Sequence, residues 1–335
     1  MDTLVTGASG FVGSLLVPAL LREGEDVRAL GRDTDRVRAA LAREGVPPAG
    51  DGAETAERWA GHGPPGALEI VGGDALTGAG LEEALAGVSV AYYLIHSMER
   101  AGQGSEPGGT FAERERVAAL NFARAARRAG VERIVYLGGL VGDSPKGPSR
   151  HLASRAAVEE ILRREVPDTV ALRASIVIGV RSRSFRFLVR LVERLPVLAL
   201  PAWRRFRTQP IDARDVTAML VAAGNAPVAG RTLDVGGPDV LTYEEMIMGI
   251  AEQMLVYRPR VGVRVNLTAV TARVAAAIGD EDPELVVPLM EGLGGDLLPR
   301  DDHADELLSV DLHSYESAVA HALGEWEISE RLAAR

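Results

Sequence analysis

The chain reads as an α/β protein, with a doubly wound parallel Rossmann sheet and a smaller, mainly helical C-terminal substrate lobe. Three observations predict this. Short apolar runs alternate with longer helical patterns through the first 180 residues. A glycine-rich turn joins the first strand to the first helix. Beyond residue 180 the alternation loosens into arginine-rich, proline-broken helices. Strands alternating with helices of this length mean βαβ units, and right-handed crossovers leave a doubly wound sheet as the natural topology.

In chain order, "DTLVTGA" is a strand and "GFVGSLLVPALLREG" a helix that ends near Gly24. "DVRALGRD" and "DRVRAALAREG" repeat the pair, and "ALEIVGGD", "VSVAYYLIHS", "ERIVYLGG" and "DTVALRASIVIG" supply four more strands. The long amphipathic stretch "FAERERVAALNFARAARRAG" precedes the third of those four. Residues 47–66 interrupt the rhythm with glycine and proline and read as a surface insertion without chemistry. "TQPIDARDVTAMLVAAG" and "GRTLDVGGP" look like a brief return to strand–helix–strand. The expected organisation is therefore a Rossmann NADP(H)-binding domain over 1–180, rejoined by 208–238, with 181–207 and 239–335 forming the substrate lobe.

Composition narrows the function classes. A chain of 335 residues that is 47% hydrophobic can bury a sizeable core. A net charge of −10 without a long basic run argues against nucleic acid or an anionic membrane as partner. Arg183, Arg186 and Arg190 with Arg204, Arg205 and Arg207 do form a local basic cluster, either a solvated face or an attractor for an acidic substrate. The absence of cysteine excludes disulfides, thiolate catalysis and cysteine-based zinc sites, and suits a reducing compartment. The most apolar run, "FLVRLVERLPVLALPAW", is broken by charges and prolines and does not read as a membrane span. Structure starts at once in "TLVTGASG", so no signal peptide is expected and the expected location is the cytoplasm.

The chemistry begins at "LVTGASGFVGSLLV". Gly7, Gly10 and Gly13 permit a tight turn and close approach of the backbone to a pyrophosphate, and Ser9, Phe11 and Val12 complete the loop and helix start around it. The strand-before, helix-after context is what such a triplet requires. Ala29-Leu30-Gly31-Arg32-Asp33 ends the second strand. Arg32 suits the 2′-phosphate of NADP, with Ser9 able to assist, whereas Asp33 turned inward would suit the ribose of NAD; the expected cofactor is NADP(H). Asp74, beside Ala75 in "GGDAL", either accepts from the adenine amino group or caps its own loop.

With these pieces the chain resembles the short-chain dehydrogenase/reductase superfamily over about residues 3–250. "TGASGFVG", "GGDAL", "FARAARRAGVERIVYLGG", "LRASIVIG", "QPIDARDV" and "GGPDVLTYEEM" resemble its atypical branch of NmrA-like and NAD(P)H-binding epimerase-like proteins. "AYYLIHSM" looks like a bacterial oxidoreductase subgroup of that branch. The resemblance implies a Rossmann core, a C-terminal substrate lobe, and nicotinamide support from the backbone around Ser175 and Ile176, with Ala174 in place of the usual proline. It also implies a possible homodimer through the helices around 112–129 and 151–165.

The superfamily's serine and Tyr-x-x-x-Lys do not carry over. Leu137-Gly138-Gly139-Leu140 offers no hydroxyl at the serine position, and His151-Leu152-Ala153-Ser154-Arg155 occupies the tyrosine–lysine slot. Arg155 keeps a permanent charge able to bind ribose hydroxyls or a phosphate. His151 is a candidate acid or base, and Arg155 beside it should favour the neutral imidazole. The alternative is a helix start capped by Ser149 with two exposed basic residues. At the end of the fourth strand Leu94 and Ile95 would line the nicotinamide, with His96 and Ser97 emerging into the cleft. Gly139, Trp203 and Phe206 are candidate substrate contacts, and no metal site is expected; His303 reads as part of a solvated acidic loop.

The leading reading is an NADPH-dependent reductase of a small organic acceptor: a quinone, a conjugated carbonyl or an iminium-like cation. The alternatives are a non-redox isomerase, cyclase or lyase on the same scaffold, and an NmrA-like NADP(H) sensor without turnover.

Overall fold

The computed structural model describes residues 2–46, 66–96, 110–142, 147, 149–263, 294–300, 303–330 and 332. The expected insertion at 47–66 and the candidate Ser97 lie outside them, Gly66 excepted.

Seven strands form one fully parallel sheet: β1 (Thr3–Thr6), β2 (Val27–Gly31), β3 (Leu68–Gly72), β4 (Val90–Tyr93), β5 (Arg133–Gly139), β6 (Thr169–Ala174) and β11 (Thr232–Val235). Their spatial order is β11-β6-β5-β4-β1-β2-β3, so the winding reverses between β1 and β4. A ligand cleft is expected outside the strand ends at that reversal. The register is tight there, with Thr3 opposite both Val27 and Val90. Thr6 stitches the exit: its hydroxyl donates to the Tyr92 carbonyl at 3.0 Å and accepts from the Leu94 N–H at 3.0 Å.

Both sheet faces are buried, which is why the strands read as continuous apolar runs rather than alternating ones. Val5, Tyr92 and Val135 point to one face, where α1 (Phe11–Arg22), α2 (Thr34–Arg43) and α7 (Ala213–Asn225) pack. Leu4, Tyr93 and Tyr136 point to the other, beneath α3 (Leu81–Leu85), α4 (Phe111–Ala129) and α5 (Arg150–Glu165). Both Tyr92 and Tyr93 are thus core residues. Local signals set the helix ends. Thr110 and Glu113 form a reciprocal capping box at the start of α4, and Gly130 closes it in the left-handed conformation.

A second core belongs to the C-terminal half. It gathers α6 (Arg183–Arg194), the 3-10 turn Ala202–Arg205, α8 (Tyr243–Gln253) and α10 (Tyr315–Ser329), the last preceded by the short α9 (Ala304–Leu308). Short strand pairs frame it: β7 (Val177–Ile178) with β10 (Ile211–Asp212), β8 (Leu198–Leu200) with β13 (Arg260–Gly262), and β9 (Arg207–Thr208) with β12 (Leu241–Thr242). The basic cluster disperses into contacts here. Arg186 and Arg190 lie over the Trp326 ring and reach Glu330, Arg204 pairs with Glu244, and Arg207 with Asp296. Among the described residues no helix is long and apolar enough to cross a membrane.

Candidate functional site

The glycine loop is built so that only glycine fits. Gly7 has φ +66°, and a Cβ there would meet the Leu94 carbonyl oxygen at 2.8 Å. A Cβ on Gly13 would stand 2.3 Å from the Gly7 carbonyl oxygen, so α1 can approach the loop only as far as glycine allows. Gly10 is the N-cap of α1 and supplies no side-chain hydrogen bond to it. The first amides of α1, from Phe11 and Val12 onward, therefore have no side-chain cap, and a helix N-terminus of this kind suits an anion. Ser9 is half-buried beside them. This cradle fits the pyrophosphate of a dinucleotide.

At the end of β2, Arg32 and Asp33 have different surroundings. The Asp33 carboxylate is the N-cap of α2, accepting the Arg36 N–H at 3.0 Å. Arg32 is exposed and makes no polar contact with any described residue. Asp74 likewise serves its own loop, accepting the Leu76 N–H at 2.9 Å. Asn121 on α4 holds that loop from below by donating to the Ala75 and Leu76 carbonyls at 3.0 and 2.9 Å.

The second half of the site lies where β4 and β5 end and α5 begins. Leu94 is buried, Ile95 half-buried, and His96 follows them out of the sheet. His96 is exposed. Desolvation by the surrounding protein, then the charges of Arg155 and His151, push its pKa well below the usual histidine range. His151 sits one residue into α5, behind the expected Ser149 cap, which accepts the Leu152 N–H at 3.3 Å. Its ring lies 5.8 Å from that of Phe111, and burial followed by the Arg155 charge lowers its pKa to about 4. Both imidazoles are neutral near pH 7.

Arg155 turns inward. It is 2% exposed and donates to the Ile95 carbonyl at 3.4 Å and to the Leu137 carbonyl. Its counter-ion is Glu115 of α4, at 3.7 Å. At the serine position, a Cβ on Gly139 would meet Leu152 Cδ2 at 2.9 Å, so a side chain there would have to displace Leu152.

Ser175 and Ile176 follow β6. Ser175 N–H donates to the Val235 carbonyl at 3.0 Å and its hydroxyl lies 3.3 Å from that of Thr208, while the Ile176 carbonyl accepts from Ile211 N–H at 2.9 Å. The other two aromatic candidates fall into the C-terminal core. Trp203 is 8% exposed and meets Tyr243 edge-on at 6.0 Å, and Phe206 packs against the same cluster. His303, exposed, lies 3.6 Å from Glu306.

Three contributors carried no local signal: Asn121, Glu115 and Arg181. Arg181 donates to Ser14 Oγ at 2.5 Å and to Glu44, and its guanidinium carbon stands 5.9 Å from the centre of the Phe11 ring. Each acts through a contact distant in sequence.

Fold and cradle together define a scaffold of the oxidoreductase class built around a nicotinamide dinucleotide. The chain belongs to the NAD dependent epimerase/dehydratase family, whose model matches residues 3–236. It is 32% identical over 124 residues to the mitochondrial NADH dehydrogenase (ubiquinone) 1 alpha subcomplex subunit 9 of Arabidopsis thaliana, over 36% of this chain and 31% of that protein. The match thus spans about a third of that relative's length. It is 28% identical over 256 residues to the ceramide reductase of Caulobacter vibrioides, over 75% of this chain and 69% of that protein. Among solved structures, MoeE5 in complex with UDP-glucuronic acid and NAD superimposes with a TM-score of 0.66 at 20% identity, over 98% of this chain and 99% of that one. That likeness is one of fold.

Proposed function

We propose that the protein is an NADPH-dependent reductase of a small organic acceptor that needs no strong acid from the protein, such as a quinone, a conjugated carbonyl or an iminium-like cation. The observation that carries this reading is the glycine cradle ahead of α1, closed to any side chain at Gly7 and Gly13, with the exposed Arg32 at the end of β2; His96 and His151 stand beside the strand ends as its polar groups. In this reading Gly7, Gly10, Gly13 and the first amides of α1 hold the pyrophosphate, and Arg32 holds the 2′-phosphate. Leu94, Ile95, Ser175 and Ile176 flank the nicotinamide. The dinucleotide supplies the hydride.

A neutral imidazole still has one N–H. Directed at an acceptor oxygen, it stabilises developing negative charge without giving up its proton, the role a neutral histidine plays in some isomerases. At a pKa of about 4, His151 carries a proton to give only rarely at neutral pH. The site therefore suits acceptors whose reduced form is a stable anion, or which begin as cations, with water as the final proton source. Similarity to a protein named ceramide reductase supports reduction as the reaction type.

The test is a fluorescence titration with NADPH and NADH, followed by a screen of quinones and conjugated carbonyls for NADPH oxidation. Tighter NADPH binding with turnover of one acceptor class is the expected result. Equal or tighter NADH binding removes the role given to Arg32. Tight NADPH binding with no oxidation of any acceptor overturns the reductase reading in favour of a sensor or a non-redox enzyme.

A further inference from the structure

Two buried charges sit directly behind the histidines. Glu115 is 3% exposed and Arg155 2%, and both lie beneath the ends of β4 and β5. Glu115 is held from two sides: one oxygen accepts the Ser154 hydroxyl at 2.6 Å, and the other lies 3.7 Å from Arg155 Nη1. That second oxygen accepts no hydrogen bond from any described residue, and the Arg155 guanidinium is the charge that faces it. Arg155 is fixed more fully. Its guanidinium donates to the Ile95 and Leu137 carbonyls and its carbon stands 4.9 Å above the Tyr136 ring. The Tyr136 hydroxyl returns a hydrogen bond to the Arg155 carbonyl at 3.0 Å.

A buried ion pair is a poor route to stability, since well-packed apolar residues of similar volume often do as well or better. What this pair does that apolar residues cannot is to bond carbonyls on two neighbouring strand ends at once. Ile95 immediately precedes His96, and Leu137 lies two residues before Gly139. A planar guanidinium with several fixed donors is suited to such a bridge, and an ammonium is not.

We infer that Glu115 and Arg155 form one buried positioning unit for the candidate site: Arg155 fixes the end of β4, with His96, against the end of β5, and Glu115 holds Arg155 in that place. The inference rests on His96 and His151 being the polar groups of the site. Neither Glu115 nor Arg155 touches a substrate in this role. The Arg155 charge also acts on both imidazoles and favours their neutral forms.

The test uses the full chain labelled with carbon-13 histidine, with ring signals assigned by single His→Gln variants and followed by NMR from pH 4 to 8. Glu115→Gln should displace the His96 and His151 signals while those of His313 and His321 stay in place. The double variant Glu115→Gln/Arg155→Met, which removes both charges of the pair, should raise the titration points of His96 and His151 by about one unit. Should Glu115→Gln fail to fold, Arg155→Lys, which keeps the charge and loses the fork, is read in the same way: a displaced His96 signal is expected. Folded variants whose His96 and His151 signals and titrations coincide with those of the parent protein would overturn the inference. The readout requires no turnover. A blank in the NADPH oxidation screen therefore bears on the proposed reaction alone, and unchanged histidines sink the positioning unit even where NADPH is oxidised.

Discussion

His313 grips Asp215 with two atoms: its ring Nδ1 lies 2.5 Å from one carboxylate oxygen, and its backbone N–H donates to the other at 2.8 Å. Asp215 is 1% exposed near the start of α7, and His313 belongs to the C-terminal segment that leads into α10. His313→Ala leaves the buried carboxylate with only the backbone half of this grip. A loss of about 1–3 kcal/mol in unfolding free energy is expected, read from urea denaturation at neutral pH.

Gly13→Ala tests the cradle. The new methyl group would collide with the Gly7 carbonyl, which is backbone and cannot rotate away. Overpacking of this kind costs roughly 1–3 kcal/mol, and the shift needed to relieve it moves α1 off the loop. Dinucleotide binding should be lost in a protein that remains folded by circular dichroism.

Arg32→Ala separates the two dinucleotides. Loss of a charge-assisted contact to a phosphate costs about 1.5–3 kcal/mol, so NADPH affinity should fall at least tenfold while NADH affinity barely changes. Parallel fluorescence titrations give the ratio. An equal loss for both cofactors would place Arg32 away from the 2′-phosphate.

The His151 imidazole gives a pH signature of stability. Its pKa is about 4 in the folded chain, below the 6.5 of an unfolded histidine. As pH falls from about 6.5 to 4 the unfolded chain takes up the proton first, so stability should decline across that window and level off below it. The full effect is at most about 3.5 kcal/mol, and His151→Gln should flatten this part of the profile. His96 acts in the same direction, so the flattening will be partial.

The sheet was legible because each of its inner strands is buried on both sides and several of the described helix ends carry a glycine or a capping residue. The Asp33 cap was not: beside Arg32 the residue was read for its fit to a ribose, and only the structure shows its carboxylate accepting the Arg36 N–H at the start of α2. The partners were not. Arg155 in the lysine slot gives no sign of Glu115, which comes from another helix and stands beside it. Trp203 gives no sign of the second core into which it packs. Such contacts join residues far apart in the chain, and periodicity carries no information about them.

Arg181 has a mechanical consequence. It stands in the stretch that leads from the sheet into α6, yet it is fastened to α1 through Ser14 and to the end of α2 through Glu44, and it covers Phe11. The C-terminal half cannot swing about residues 179–182 without tearing an ion pair and uncovering an aromatic ring at the head of the phosphate-binding helix. Stiffening α1 with a bound dinucleotide should then be felt as slower amide hydrogen exchange in α6 as well. Cofactor occupancy and the shape of the substrate side would be two readings of a single rigid corner.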